Sequence, residues 1–256
     1  MILTCKYNSP VLDRNTQINV IIPTPQKEGE TLGKDFKVLY LLHGLHGDAD
    51  SWLHYSNISR YAQDAGIAVV MPSVNNSFYQ DMAHGDRFFT YMTQELPEYI
   101  QSIFPVSKKP EDTYIAGLSM GGYGAWYIGL SHPDRFAAAA SLSGAVDVAF
   151  RATPIPQGQA MELPRWMLDC FGDVRTLPGS DRDVFALAEK AKQAGCLPRL
   201  YQSCGTADFL YGMNLCSYRK LTEMEIPVTW REIPDKAHEW DLWDEEIRTV
   251  LDWMLK

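Results

Sequence analysis

The sequence predicts an α/β fold with a mostly parallel sheet, and three observations lead there. Short β-branched or apolar runs alternate with stretches of helical spacing. The runs are almost wholly apolar, as strands covered on both faces are. The length of 256 residues suits one large domain, here residues 1–256, with a single core.

In chain order, strands are expected at residues 18–22, 38–42, 67–71, 113–116, 137–142, 199–204 and 228–233, each too short and too apolar for a surface helix. Helical spacing occupies about 50–65, 88–104, 120–131, 183–194, 211–224 and 241–255. In the last stretch Trp243, Ile247, Val250, Leu251 and Met254 recur every three or four residues and mark a face laid on the sheet. The alternation therefore puts helices on both faces. Residues 145–180 are the exception. Pro154, Pro156, Pro164 and Pro178 break any regular period there, so a small irregular cap is expected, whose Phe150, Met161, Trp166 and Phe171 close over a pocket, a local satellite core being the alternative.

Composition excludes several classes of function. Hydrophobic residues make up 46% and charged residues 21%, ordinary values for a globular chain. With 23 basic against 32 acidic residues the net charge is −9, and no Lys/Arg run offsets it, so nucleic acid is an unsuitable partner. No apolar stretch is long enough to span a bilayer, and Met1 to Pro10 lacks the basic start and apolar run of a secretory signal. Cys5, Cys170, Cys196, Cys204 and Cys216 are odd in number and show no C-x-x-C spacing, against a disulfide framework or a zinc knuckle. A soluble protein of the reducing cytoplasm is expected, and a homo-oligomer is compatible with all of this.

The chemistry is carried by Gly117-Leu118-Ser119-Met120-Gly121, a G-x-S-x-G pentapeptide between the strand at 113–116 and the helix at 120–131. A strand-to-helix turn this sharp strains the serine backbone and lifts its hydroxyl above the carboxyl end of the sheet. A serine hydroxyl attacks only when a base takes its proton, and the base needs a carboxylate to orient it. Among six histidines, His238 follows the strand at 228–233 and so lies at the same sheet edge, whereas His132 sits at a helix end and His54 and His84 have no strand-end context. Asp208, in the loop after the strand at 199–204, is the preferred acid, with Asp173 and Asp235 as competitors. The order Ser119, Asp208, His238 is that of α/β-hydrolase topology.

An oxyanion needs donors fixed in advance. The Met120 N–H, next to the nucleophile, is one. The Leu45 N–H, in the loop His43-Gly44-Leu45-His46-Gly47 after the strand at 38–42, is the other. His43 and His46 are expected to hold this loop by hydrogen bonds, and no ligand spacing supports a metal at His43, His46, Asp48 and Asp50. Trp52, Phe78, Phe209, Tyr211 and Trp240 are candidates to line the acyl and alcohol pockets, core packing being the alternative for each.

The H-G-x-x-G loop, the G-L-S-M-G-G-Y-G-A stretch from Gly117 to Ala125, the G-x-x-D-F-L-Y stretch from Gly205 to Tyr211 and His238-Glu239-Trp240 together resemble the esterase D superfamily, and within it the bacterial tributyrin esterases. The resemblance runs from Val38 through the final helix. It implies an α/β-hydrolase fold, hydrolysis of short-chain acyl esters from acetyl to butyryl, no cofactor, and a small-molecule ester as substrate. Matched residue by residue, it assigns Ser119, Asp208 and His238 to the triad and Leu45 and Met120 to the oxyanion donors. Leu118 and Tyr123 stand where the related S-formylglutathione hydrolases carry histidines, which counts against a glutathione thioester. Phe78 stands in a loop, residues 75–81, that carries Trp-Tyr in relatives, and is expected to alter pocket shape. The competing readings are an acyltransferase, a carbohydrate acetyl or feruloyl esterase, and a noncatalytic binding module.

Overall fold

Strand β1 (Ile2–Ser9) pairs antiparallel with β2 (Arg14–Ile21), and β2 pairs antiparallel with β4 (Ala68–Pro72). From there β3 (Val38–Leu42), β5 (Thr113–Leu118), β6 (Ala138–Leu142), β7 (Arg199–Gly205) and β8 (Val228–Ile233) continue in parallel. The result is one eight-stranded sheet of order β1-β2-β4-β3-β5-β6-β7-β8. This computed structural model describes residues 1–148 and 164–256.

Alternate residues of each central strand enter opposite cores, because side chains of a strand project to opposite faces. Val38, Tyr40 and Leu42 of β3 join one cluster, while Leu39 and Leu41 join the other. The first core is covered by α3 (Phe88–Thr90), a π-helical turn (Tyr91–Glu95), α4 (Leu96–Ile103), α5 (Met120–Ser131), α7 (Val184–Gln193) and, through Leu221, α8 (Tyr211–Glu223). The second is covered by α1 (Ser51–Tyr55), α2 (Ile58–Ala65) and α9 (Trp240–Met254), on which Trp243, Ile247, Val250, Leu251 and Met254 form the buried stripe. Helix α5 is buried at every position from Met120 to Leu130, as a helix apolar all round must be.

Three expectations change. Strand β1 was not foreseen. The expected helix at 50–65 is two helices, because Ser56 Oγ bonds the Trp52 carbonyl at 2.6 Å and the Asp244 carboxylate on α9 captures the Asn57 N–H at 2.6 Å and its amide at 2.9 Å. The stretch at 88–104 contains the π-helical turn.

The excursion at 145–180 is not irregular throughout: it contains α6 (Arg165–Phe171) and a 3-10 turn (Val174–Thr176). Pro164 caps α6 and Pro178 follows the turn, so both prolines flank regular structure and cost it no hydrogen bonds. Pro154, Pro156, Phe150 and Met161 lie outside the described residues. Among the described residues no helix is long and apolar enough to cross a membrane, and all five cysteines are free thiols.

Candidate active site

Ser119 occupies the turn between β5 and α5 with φ 53° and ψ −115°, a region that costs a residue with a Cβ on the order of 1–3 kcal/mol. The turn survives because close packing leaves the chain no alternative. A Cβ on Gly117 would lie 2.3 Å from the Gly121 carbonyl oxygen, and one on Gly121 would lie 2.5 Å from the Leu42 oxygen and 2.7 Å from that of His43. The Ser119 N–H also donates to the Leu142 carbonyl at 2.9 Å, and its own carbonyl accepts from the Ala145 N–H at 3.1 Å. The Ser119 turn is thereby clamped between the ends of β3 and β6. The amino terminus of α5 stands directly behind it, with its partial positive charge.

The H-G-x-x-G loop packs on this turn, since a Cβ on Gly44 would come within 3.3 Å of the Ser119 Cβ. His43 is 1% exposed. Its Nδ1–H donates to the Gly44 carbonyl at 2.7 Å, and its Nε2 accepts the Val74 N–H at 3.1 Å. Burial pushes its pKa below the ordinary value, outweighing the opposite pull of the Gly44 carbonyl and Asp48. Tyr79 Oη donates to the His43 carbonyl at 2.9 Å, and the His46 N–H donates to Asn76 Oδ1 at 2.7 Å. On the far side, Asn19 donates to the Ala49 carbonyl and to Asp50, fixing where the loop leaves the sheet. With the loop so held, neither the Leu45 N–H nor the Met120 N–H has an acceptor among the described residues.

His238 Nδ1 and Asp208 Oδ2 are 2.8 Å apart, and the Asp208 side chain is fully buried. Burial would raise the Asp208 carboxyl, but hydrogen bonds from His238, the Leu210 N–H at 2.8 Å and Ser143 bring it below the ordinary value. Sequence reasoning passed over Ser143. It carries φ 47° at the end of β6 and accepts the Trp243 indole N–H at 3.2 Å, and only the geometry of the folded chain reveals it. The His238 ring is set between Phe209 (4.5 Å) and the edge of Trp243 (4.8 Å), and its Nε2 has no partner among the described residues.

A cavity of about 80 Å³ opens at Ser119, and Leu45, Phe78, Phe209, Trp166 and Met213 are among its walls. Phe78 lies flat on Trp166 at 5.0 Å and meets Phe171 edge-on at 5.5 Å. It is held there at φ 51°, next to Tyr79 at φ 58°. Phe209 is 76% exposed at the mouth.

Three of the five aromatic candidates do not line this cavity. Trp52 is a core residue whose indole donates to the Leu42 carbonyl at 3.1 Å. Trp240 packs edge-on against Trp52 and Trp243, on the other side of the sheet edge. Tyr211 turns outward and bonds Glu232 at 2.6 Å. In their place the cavity uses Ala145, Val148, Met167, Leu210 and Met213, small or flexible apolar residues that carry no signal in the sequence.

Comparison with known proteins agrees with this architecture. The family model Esterase, described as "Putative esterase", matches residues 9–248. An acetyl esterase of Caldicellulosiruptor saccharolyticus is 35% identical over 100% of this chain and 98% of its own length. The substrate-bound structure of FphF, a fluorophosphonate-binding serine hydrolase of Staphylococcus aureus, superposes with TM-score 0.89 at 32% identity, covering 100% of this chain and 98% of that one. The S-formylglutathione hydrolase FrmB of the same organism gives TM-score 0.85 at 32% identity, covering 100% and 99%. The fold is that of the α/β-hydrolases, and the chain belongs to the Esterase family of carboxylic ester hydrolases.

Proposed function

We propose that the chain is a serine esterase of short acyl esters, acetyl to butyryl, with Ser119 as nucleophile, His238 as base and Asp208 as its orienting acid. The observation that supports this most is a shared location. Ser119, Leu45 and Phe209 line one cavity, and the imidazole that packs on Phe209 is anchored through Nδ1 to a buried carboxylate, leaving Nε2 for a proton.

In this reading His238 Nε2 takes the Ser119 Oγ proton as Oγ bonds the ester carbonyl carbon. The carbonyl oxygen becomes an oxyanion, held by the Leu45 and Met120 N–H groups, each worth about 3–4 kcal/mol in comparable sites. Collapse breaks the bond to the alcohol oxygen, which leaves with the proton from His238. Water then repeats the sequence on the acyl-enzyme, releasing the acid and restoring Ser119. The cavity is small beside the ~300–1,000 Å³ of drug-sized sites, which suits an acyl group of a few carbons. Where S-formylglutathione hydrolases carry a histidine, Tyr123 is fully buried and its hydroxyl is engaged by Gln80 at 3.1 Å and by the Arg182 carbonyl at 2.9 Å, so a glutathione thioester should be a poor substrate. Five free thiols suit the cytoplasm.

The test is p-nitrophenyl ester hydrolysis from acetate to decanoate, by the wild type and by Ser119→Ala. The rate should peak at two to four carbons and vanish in the variant. A peak at eight carbons would oppose the chain-length assignment, and an active Ser119→Ala variant would remove the nucleophile.

A further inference from the structure

A second cavity, of about 310 Å³, lies at the other end of the sheet. Thr113, which opens β5, is in its wall, whereas Ser119 follows the opposite end of the same strand. The two sites are therefore separated by the length of a central strand.

Tyr40 of β3 is 3% exposed, and its hydroxyl has no hydrogen-bond partner among the described residues, yet the residue lines this cavity. That hydroxyl opens on the cavity and is free to bond whatever enters it. The π-helical turn Tyr91–Glu95 forms an adjacent wall through Met92 and Thr93, and such turns recur at functional sites. Arg135 reaches over and donates to the Thr93 carbonyl at 2.5 Å, which leaves the rest of its guanidinium for another acceptor.

His132 completes the polar side. Its ring stacks on Phe89 at 5.8 Å, and neither ring nitrogen has a partner among the described residues. Burial, helped by Arg135, pushes its pKa down against the pull of Asp134, so near neutral pH the ring is an uncharged donor and acceptor. The charges around the cavity are Lys108, Arg135 and Glu98, with no ion pair formed among them. Lys108 and Arg135 share the wall with Glu98, and Asp134 acts on His132 from beside it. Met92, Pro97 and Phe136 supply apolar wall.

We propose that this cavity binds a small monocarboxylate with a short apolar tail, the carboxylate taking hydrogen bonds from Tyr40, His132 and Arg135 while the tail lies against Met92 and Phe136. A planar, charged two-oxygen head suits the guanidinium edge that Arg135 leaves free. The site is independent of Ser119, whatever reaction occurs there.

Calorimetric titration of the full chain with sodium butyrate tests this, with inorganic phosphate and the neutral butyramide as comparison ligands. Butyrate should bind in the millimolar range, about fivefold more weakly to Tyr40→Phe and about tenfold more weakly to Arg135→Gln, with ester hydrolysis unchanged in both. Tyr40→Phe should fold normally, since the hydroxyl it removes has no partner among the described residues. No saturable binding by about 50 mM, or equal affinity in the wild type and both variants, would overturn the proposal. Phosphate binding as tightly as butyrate would reduce the site to an anion patch, and butyramide doing so would remove the charge argument; either result also overturns it.

Discussion

Replacing His43 by Phe keeps a planar ring in the space behind the H-G-x-x-G loop and removes both ring nitrogens. The Val74 N–H, on a residue with no exposed surface, loses its one acceptor among the described residues, at a cost of about 1–3 kcal/mol. The Gly44 carbonyl keeps the Gly47 N–H at 3.2 Å, so losing the second bond costs about 1 kcal/mol. The sum, about 2–4 kcal/mol, is a large share of a typical domain's stability.

The same residue makes the wild type sensitive to acid. Its folded pKa lies below the unfolded value of about 6.5, so the unfolded chain takes up a proton that the folded chain refuses. The His43 contribution is complete above pH 6.5 and is lost as pH falls from there toward the folded pKa, by up to about 1.4 kcal/mol per pH unit. Urea denaturation at pH 8 and pH 5.5 should show His43→Phe far less stable at pH 8 and the gap narrowing at pH 5.5. His132, also shifted down, contributes equally to both proteins and cancels. A gap of the same size at both pH values, or no gap at pH 8, would refute the reasoning.

Asp208→Asn should lower kcat about 10³- to 10⁴-fold with a smaller effect on KM, measured with p-nitrophenyl acetate, because the imidazole loses the carboxylate that fixes its tautomer. Gly121→Ala places a Cβ 2.5 Å from the Leu42 oxygen, so the steric cost of about 1–3 kcal/mol should outweigh the ~1 kcal/mol gain in helix propensity, and both the urea midpoint and kcat/KM should fall. Phe209→Ala should leave stability within about 0.5 kcal/mol, since the ring is 76% exposed, while KM for short esters rises about three- to tenfold in steady-state assays.

Strong local signals made the parallel part of the fold legible. β3 and β4 are buried at every position, so their apolar runs stand out, and the residues that follow β5, β7 and β8 are Ser119, Asp208 and His238. Strand β1 lies at the sheet edge and is half exposed, so its apolar residues alternate with polar ones too weakly to register, and its partner β2 supplies the order. Three of the five pocket aromatics lie away from the cavity for a different reason. Trp52 and Phe78 look alike in sequence, and only the sheet face to which each chain segment returns separates a core indole from a cavity wall. The break between α1 and α2 depends on Asp244, which no local window contains.

That break has a consequence for how the polypeptide matures on the ribosome. Asp244 accepts from the Asn57 N–H across 187 positions of sequence and from the Tyr61 hydroxyl as well. Ile58, Tyr61 and Ala62 share their apolar cluster with Leu242, Trp243 and Ile247 of α9. Until that stretch emerges from the exit tunnel, α2 carries a greasy, uncapped surface. A nascent chain whose α9 has not yet emerged thus exposes apolar surface of the kind that shielding chaperones cover.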